Sequence, residues 1–94
     1  MLLNDTSIGV WITDRTGWSR SGDLIEKTFE FESFRDAIVF VNRVATLADE
    51  ADHHPDIDIR YDKVRLGLAT HSEGGITEKD TELAEKIDRA TSKR

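Results

Sequence analysis

Residues 51–71, "ADHHPDIDIRYDKVRLGLATH", decide the fold of this chain. From Ile57 to Tyr61 apolar and charged residues alternate, and in residues 64–71 a second alternation sets Val64, Leu66, Leu68 and Thr70 against Arg65, Gly67, Ala69 and His71. Strict alternation is the pattern of a β-strand with one buried face. A tight connection at Asp62-Lys63 joins the two runs, so this segment is predicted to form a β-hairpin directly after Pro55.

A long amphipathic helix is predicted before this hairpin. Ser33 can cap its start, and Pro55 is expected to end it, because the residue before a proline is disfavoured in the α conformation. A helix from Phe34 to His53 would be about 30 Å long. Its apolar stripe is wide enough to pack against both the core and a neighbouring subunit. The alternative, that it packs against the core alone, stays open. The stripe consists of Phe34, Ala37, Ile38, Phe40, Val41, Val44, Ala45, Leu47, Ala48 and Ala51.

Three further segments carry recognisable patterns. Ile8, Trp11 and Ile12 have helical spacing after Asn4, which predicts a short first helix. Residues 18–31 predict a hairpin that turns at residues 21–23. The last helix is predicted to follow a capping box formed by Thr77 and Asp80, to bury Leu83, Ala84, Ile87 and Ala90, and to fray in residues 91–94. The predicted order is α-β-β-α-β-β-α, which is an α+β class with antiparallel strand pairs.

Composition excludes several classes of protein. The chain has 94 residues, so a single domain over residues 1–94 is expected. A net charge of −6 disfavours direct nucleic-acid binding, and the absence of cysteine removes disulfides, thiolate metal sites and cysteine nucleophiles. The longest apolar run, residues 37–41, is far too short to span a membrane. With no signal-like start, a cytoplasmic protein without membrane contact is expected.

Two of the three histidines, His53 and His54, are adjacent at the predicted helix end. If the helix reaches His53, Asp49 lies one turn earlier on the same face and can hold an imidazole nitrogen. His54, next to Pro55, would leave the helix at another angle, so the two side chains could flank one small volume.

The third histidine, His71, is predicted to end the last strand. It would share a face with Gly67 and Ala69, whose small size leaves room beside the imidazole. Asp80 follows soon after the Gly74-Gly75 loop. Three histidines and several carboxylates are therefore expected to converge from three segments.

The histidines allow three interpretations. They could be a solvated helix end, or ligands of zinc or iron, since imidazole and carboxylate suit both metals. Adjacent residues rarely bind one metal, however, and no H-x-x-x-H spacing occurs. Histidine titrates near neutral pH and can supply both an acid and a base, so acid–base chemistry on a small molecule is favoured.

Residues 29–88 resemble the pterin-4a-carbinolamine dehydratases. That family has an acidic residue four positions before a His-His-Pro, then an aromatic residue, a Thr-His and a later Asp. The matching residues here are Asp49, His53-His54-Pro55, Tyr61, Thr70-His71 and Asp80, and Gly17-Trp18 with Phe29, Phe31 and Phe34 extends the likeness.

The resemblance implies a sheet with helices packed on one face, assembled into homodimers or homotetramers. It also implies dehydration of 4a-hydroxytetrahydrobiopterin to quinonoid dihydrobiopterin without a metal or any other cofactor. The pathway would recycle tetrahydrobiopterin for an aromatic amino-acid hydroxylase.

The resemblance also implies roles for individual residues. His53, His54 and His71 would be catalytic, with one histidine protonating the departing hydroxyl and another accepting a ring-nitrogen proton. His54 and His71 would lie closest to the hydroxyl. Asp52, Ala69 and Thr70 would hold the pterin, with Ala69 contributing its backbone because many relatives have serine there. Asp49 and Asp80 would orient the histidines.

Two other functions stay open on the same fold. One is a non-catalytic dimerisation or interaction module, and the other is a role in molybdenum-cofactor metabolism. The complete set of three histidines favours the enzyme, since a scaffold has no physical need for it.

Overall fold

The computed structural model describes residues 1–92, and their helices and strands follow the predicted order. The α+β class is therefore confirmed. The last helix extends through Ser92, and residues 93–94 of the predicted frayed end lie outside the described residues. In chain order the elements are α1 Asp5–Thr13, β1 Ser19–Ser21, β2 Leu24–Glu30, α2 Phe34–Ala51, β3 Asp56–Arg60, β4 Lys63–Leu68, a 3-10 turn His71–Glu73 and α3 Glu78–Ser92.

The four strands form one antiparallel sheet in the order β1-β2-β4-β3. The two central strands set the buried face, where Ile25 of β2 lies opposite Leu68 of β4 and Phe29 lies opposite Val64. All four of these side chains are buried. The outer strand β3 has a single neighbour, which leaves it at an edge of the sheet.

All three helices pack against this one face of the sheet, as predicted. Each helix contributes buried apolar residues to the same core as the central strands. Trp18, just before β1, and Phe31, just after β2, are buried in this core as well. The helical members of the core are Ile8 from α1, Ala37, Phe40 and Val44 from α2, and Leu83, Ala84 and Ile87 from α3. Burial of these side chains, at about 25 cal/mol per Å² of apolar surface, is the main stabilising contribution to the fold.

Helix α2 begins where the sequence predicts and ends earlier. The Ser33 side chain accepts a hydrogen bond from the Asp36 backbone amide at 3.1 Å, which caps the start. At the other end, Asp52 adopts a left-handed conformation with φ of 50°, and the His53 amide donates back to the Ala48 carbonyl. This cap, and not Pro55, ends the helix. The predicted extension of the helix to His53 was therefore wrong.

The α2 surface is only partly buried. Ala37, Phe40, Val44 and Ala48 face the core, whereas Phe34 and Val39 are 51% and 55% exposed. The predicted wide apolar stripe thus has an inner part in the core and an outer part on the surface. Among residues 1–92, no helix is both long and apolar enough to cross a membrane.

The second hairpin turns one residue earlier than predicted. β3 ends at Arg60 and the turn is Tyr61-Asp62, with Tyr61 in a left-handed conformation at φ of 55°. Tyr61 is therefore a turn residue, 70% exposed, and not the last apolar residue of the strand. Ile57 and Ile59 face the helices but stay 40% and 37% exposed because β3 is an edge strand.

Candidate active site

The centre of the candidate site is a hydrogen-bonded pair, His53 and Asp80. His53 follows the α2 cap, and Asp80 lies in the first turn of α3. The imidazole Nε2 lies 2.5 Å from Oδ1 of Asp80, and the two side chains are 11% and 0% exposed. A buried carboxylate needs hydrogen-bond donors on both oxygens, so this contact is part of a larger network.

The second carboxylate oxygen of Asp80 has two donors. The Thr70 hydroxyl donates to Oδ2 at 2.8 Å, and the Thr77 backbone amide donates to it at 2.9 Å. The second of these bonds is the predicted capping box, in which the acidic side chain reaches back to the residue that precedes the helix. The same bond that starts α3 therefore also fixes the carboxylate that holds His53.

The partner of Asp49 differs from the prediction. Asp49 Oδ1 contacts Nε2 of His54 at 3.0 Å, whereas His53 is held by Asp80. The i, i+4 relation applies only within a helix, and α2 ends before His53. Both members of this pair are solvated, with 60% of the His54 side chain and 79% of the Asp49 side chain exposed.

His71 does not end β4. The strand stops at Leu68, and His71 is the exposed first residue of the 3-10 turn. The turn is closed by Thr70, whose amide donates to the Gly75 carbonyl at 2.8 Å and whose carbonyl accepts from the Gly74 amide at 3.0 Å. Because Thr70 also binds Asp80, His71 is joined to the buried network through the adjacent residue in the chain.

Gly67 does not provide the predicted space beside His71. It is buried in β4, and the atoms closest to where its Cβ would stand belong to Asp56 and Leu24. The strand alternation that placed Gly67 and His71 on one face ends at Leu68.

The residues predicted to hold a pterin lie in two segments of the chain, one next to His53 and one next to His71. Asp52 is the exposed left-handed cap between Asp49 and His53, and half-buried Ala69 lies between β4 and Thr70. Thr70 itself is 3% exposed, with its hydroxyl committed to Asp80. The pterin-binding roles of these residues remain predictions.

The sequence did not indicate the second hydroxyl of the network. Thr77 Oγ1 lies 2.7 Å from Thr70 Oγ1, and both side chains are buried. The pattern Thr77-x-x-Asp80 predicts a helix cap but says nothing of a contact with Thr70, seven residues earlier.

The site can therefore move protons. An imidazole held by a carboxylate has one nitrogen engaged and the other available as donor or acceptor. Two such His–Asp pairs, one buried and one exposed, lie next to each other in the chain. Among residues 1–92, no group of three or more His, Asp or Glu side chains is arranged to hold a metal ion.

Fold and site together define a small α+β domain with two adjacent His–Asp pairs after its long helix. A profile of pterin 4 alpha carbinolamine dehydratase matches residues 1–90. The chain belongs to this family, as its sequence predicts.

Curated relatives also match nearly the whole chain. A protein of Roseiflexus castenholzii is 56% identical over 87 residues, covering 93% of this chain and 94% of its own. One of Thermomicrobium roseum is 53% identical over 85 residues, covering 90% and 91%. Both carry the provisional name pterin-4-alpha-carbinolamine dehydratase.

Two solved structures share the fold. A transcriptional coactivator/pterin dehydratase from Brucella melitensis has a TM-score of 0.88 and 32% identity, covering 93% of this chain and 95% of its own. A pterin dehydratase-like protein described as a RuBisCO assembly factor of the alpha-carboxysome has a TM-score of 0.63 and 22% identity, covering 77% and 83%. The second likeness concerns the fold alone.

Proposed function

We propose that this protein dehydrates 4a-hydroxytetrahydrobiopterin to quinonoid dihydrobiopterin and water, as a cytoplasmic enzyme that recycles pterin for an aromatic amino-acid hydroxylase. Family membership over residues 1–90 supports the reaction class. The observation that carries the proposal is the buried His53–Asp80 pair, because a buried carboxylate stabilises the imidazolium that His53 becomes on accepting a proton.

The reaction needs one acid and one base. The bond between C4a and the hydroxyl oxygen breaks, and the hydroxyl takes a proton and leaves as water. A second proton leaves a ring nitrogen, and the electron pair of that N–H bond stays in the ring. Protons and water are the only species exchanged, so the proposal calls for no redox cofactor.

His53 suits the role of base. On accepting the ring-nitrogen proton it becomes an imidazolium, which the buried Asp80 carboxylate stabilises across their 2.5 Å contact. Opposite charges interact more strongly in a site shielded from water than on the surface.

His54 and His71 suit the hydroxyl side of the pterin. Both imidazoles are exposed, so the one that gives its proton to the leaving hydroxyl can recover a proton from water. Asp49 holds the His54 ring by its Nε2 contact. The pterin would lie against Asp52 and the backbone at Ala69 and Thr70.

Chemically generated 4a-hydroxytetrahydrobiopterin tests this proposal. Its dehydration is followed by the ultraviolet absorbance of the quinonoid product, with and without the protein. We expect acceleration over the spontaneous reaction by the protein and a large loss in His53→Ala, His54→Ala and His71→Ala. A folded protein that gives no acceleration would contradict the proposal, and a stoichiometric metal ion whose removal abolishes turnover would contradict the metal-free mechanism.

A second proposed property is assembly into homodimers or homotetramers. The exposed apolar side chains of Phe34 and Val39 on α2, and of Ile57 and Ile59 on the edge strand, support it. Sedimentation equilibrium of the protein and of Val39→Lys and Ile57→Lys variants tests it, with a shift towards monomer expected. A wild-type protein that sediments as a monomer would contradict it.

A further inference from the structure

The buried hydroxyls of Thr70 and Thr77 form a chain that ends on Asp80. Thr77 Oγ1 lies 2.7 Å from Thr70 Oγ1, and Thr70 Oγ1 lies 2.8 Å from Asp80 Oδ2. The Lys79 backbone amide donates to Thr77 Oγ1 at 3.2 Å. Which atom donates in each contact follows from counting protons.

A carboxylate accepts hydrogen bonds and has no proton to donate, whereas a hydroxyl has one proton. Thr70 therefore gives its only hydroxyl proton to Asp80, and Thr77 must be the donor to Thr70. The Lys79 amide then fills an acceptor position on Thr77. All bonds in the chain run in one direction, towards the carboxylate.

The direction of this chain determines the state of His53. Oδ2 of Asp80 already accepts from Thr70 and from the Thr77 amide, and Oδ1 is left for Nε2 of His53. Because the Asp80 carboxylate can only accept a hydrogen bond, the proton in its contact with His53 must be on Nε2. The nitrogen with the free electron pair in neutral His53 is then Nδ1.

We propose that Thr77 is a positioning residue of the site. Through Thr70 and Asp80, its hydroxyl holds His53 in the tautomer with the proton on Nε2, so that Nδ1 exchanges the proton with the substrate. The link to turnover rests on the dehydratase function proposed above. Removal of the Thr77 hydroxyl takes away the hydrogen bond that Thr70 Oγ1 accepts, which leaves the Thr70 hydroxyl less firmly held on Asp80 and weakens the preference for this tautomer.

The imidazole nitrogens of wild-type protein labelled with ¹⁵N-histidine give a direct test. Two-bond couplings from the ring protons identify the protonated nitrogen of each histidine, and His53→Gln assigns the His53 signals. Nε2 of neutral His53 is expected to be protonated and Nδ1 unprotonated. A proton on Nδ1, with Asp80 as the donor to Nε2, would overturn the proposal without any variant of Thr77.

Kinetics of three variants then test the role of Thr77. Thr77→Val keeps the side-chain shape and the backbone amide that binds Asp80 but removes the hydroxyl. Thr77→Ser, a separate variant, retains a hydroxyl at this position. Thr81→Val is the matched control, because Thr81 is buried in the first turn of α3, which Thr77 precedes, and among residues 1–92 its hydroxyl donates to the Glu78 carbonyl, outside the network.

We expect kcat to fall about tenfold in Thr77→Val, a size usual for residues that orient a reactive group, with KM unchanged. Thr77→Ser should recover most of the loss, and Thr81→Val should resemble the wild type. Mixed tautomers of His53 should appear in Thr77→Val alone. Equal kcat in Thr77→Val and Thr81→Val would overturn the positioning role. If wild-type protein does not accelerate dehydration, the proposed function fails, while the ¹⁵N measurement still decides the tautomer.

Discussion

His53 Nε2 and Asp80 Oδ1, 27 residues apart in the chain, lie 2.5 Å apart in the structure, with the carboxylate fully buried. The neighbouring pair, His54 and Asp49, has a similar contact at 3.0 Å but is largely exposed. Coulombic and hydrogen-bond contributions differ strongly between buried and solvated pairs. The two pairs are therefore expected to respond differently to substitution.

Asp80→Asn is expected to lower kcat by roughly 10²- to 10⁴-fold, the range for the loss of general acid–base help or for a wrongly held imidazole. The amide keeps the shape of the side chain but carries no charge to stabilise the His53 imidazolium. Stopped-flow dehydration kinetics measure the effect. Glu82→Gln, an exposed change on the same helix, is the control, and equal kcat in the two variants would contradict the assigned role of Asp80.

His53→Ala and His54→Ala are expected to separate activity from stability. Both should lose turnover. His53→Ala leaves a buried carboxylate oxygen without its donor, which costs about 1–3 kcal/mol in the free energy of unfolding. His54→Ala removes an exposed contact and should change stability by less than about 0.5 kcal/mol. Urea unfolding monitored by tryptophan fluorescence gives both values, and equal losses of stability would show that the His53–Asp80 pair is no stronger than a surface contact.

The sequence predicted the order of elements because each helix and strand has its own periodicity and cap. Two of the boundaries that it misplaced depend on non-glycine residues in a left-handed conformation. Asp52 ends α2 before Pro55, and Tyr61 starts the hairpin turn. Side-chain type gives little warning of this conformation, above all for tyrosine.

The sequence named the members of both His–Asp pairs as candidates and did not predict which histidine contacts which aspartate. The sequence motif contains the three histidines, Asp49 and Asp80. The pairing of His53 with Asp80 spans 27 residues, and no local spacing rule reaches so far. The Thr77–Thr70 contact was missed for the same reason, because it forms only when the loop after β4 folds back onto the start of α3.

The pKa of Glu85 provides a prediction on pH. The indole N–H of Trp11 donates to this carboxylate at 2.8 Å and lowers its pKa below the ordinary 4.5, and Arg15 adds to the effect. A lowered pKa in the folded state means that the carboxylate stabilises the fold above pH 4.5, and that this contribution is lost as the pH falls through the folded pKa.

Trp11→Phe should therefore raise the pKa of Glu85 and flatten the dependence of stability on pH below 4.5. A ¹³C NMR titration of the Glu85 carboxyl measures the first effect, and urea unfolding across pH measures the second. Trp18→Phe is the matched control, since the Trp18 indole donates to Asp88 instead. An unchanged Glu85 titration in Trp11→Phe would show that this hydrogen bond does not set the pKa.

Asp52→Gly is expected to stabilise the protein by about 0.5 kcal/mol, because glycine adopts the left-handed conformation of this cap without steric cost. Asp52→Val should destabilise it by about 1–2 kcal/mol, since a β-branched residue is strained at φ of 50°. Thermal and urea unfolding measure both changes. Glu50→Gly, the same substitution two residues earlier inside α2, should instead destabilise by about 0.5–1 kcal/mol.

The same variant tests how Asp52 would hold the pterin. If the backbone makes the contact, Asp52→Gly keeps the wild-type KM, because glycine preserves the left-handed cap that positions the His53 amide. If the carboxylate makes the contact, KM rises while stability still increases. A decrease in stability in Asp52→Gly would contradict the account of the cap itself, since the backbone would then gain nothing from the loss of Cβ.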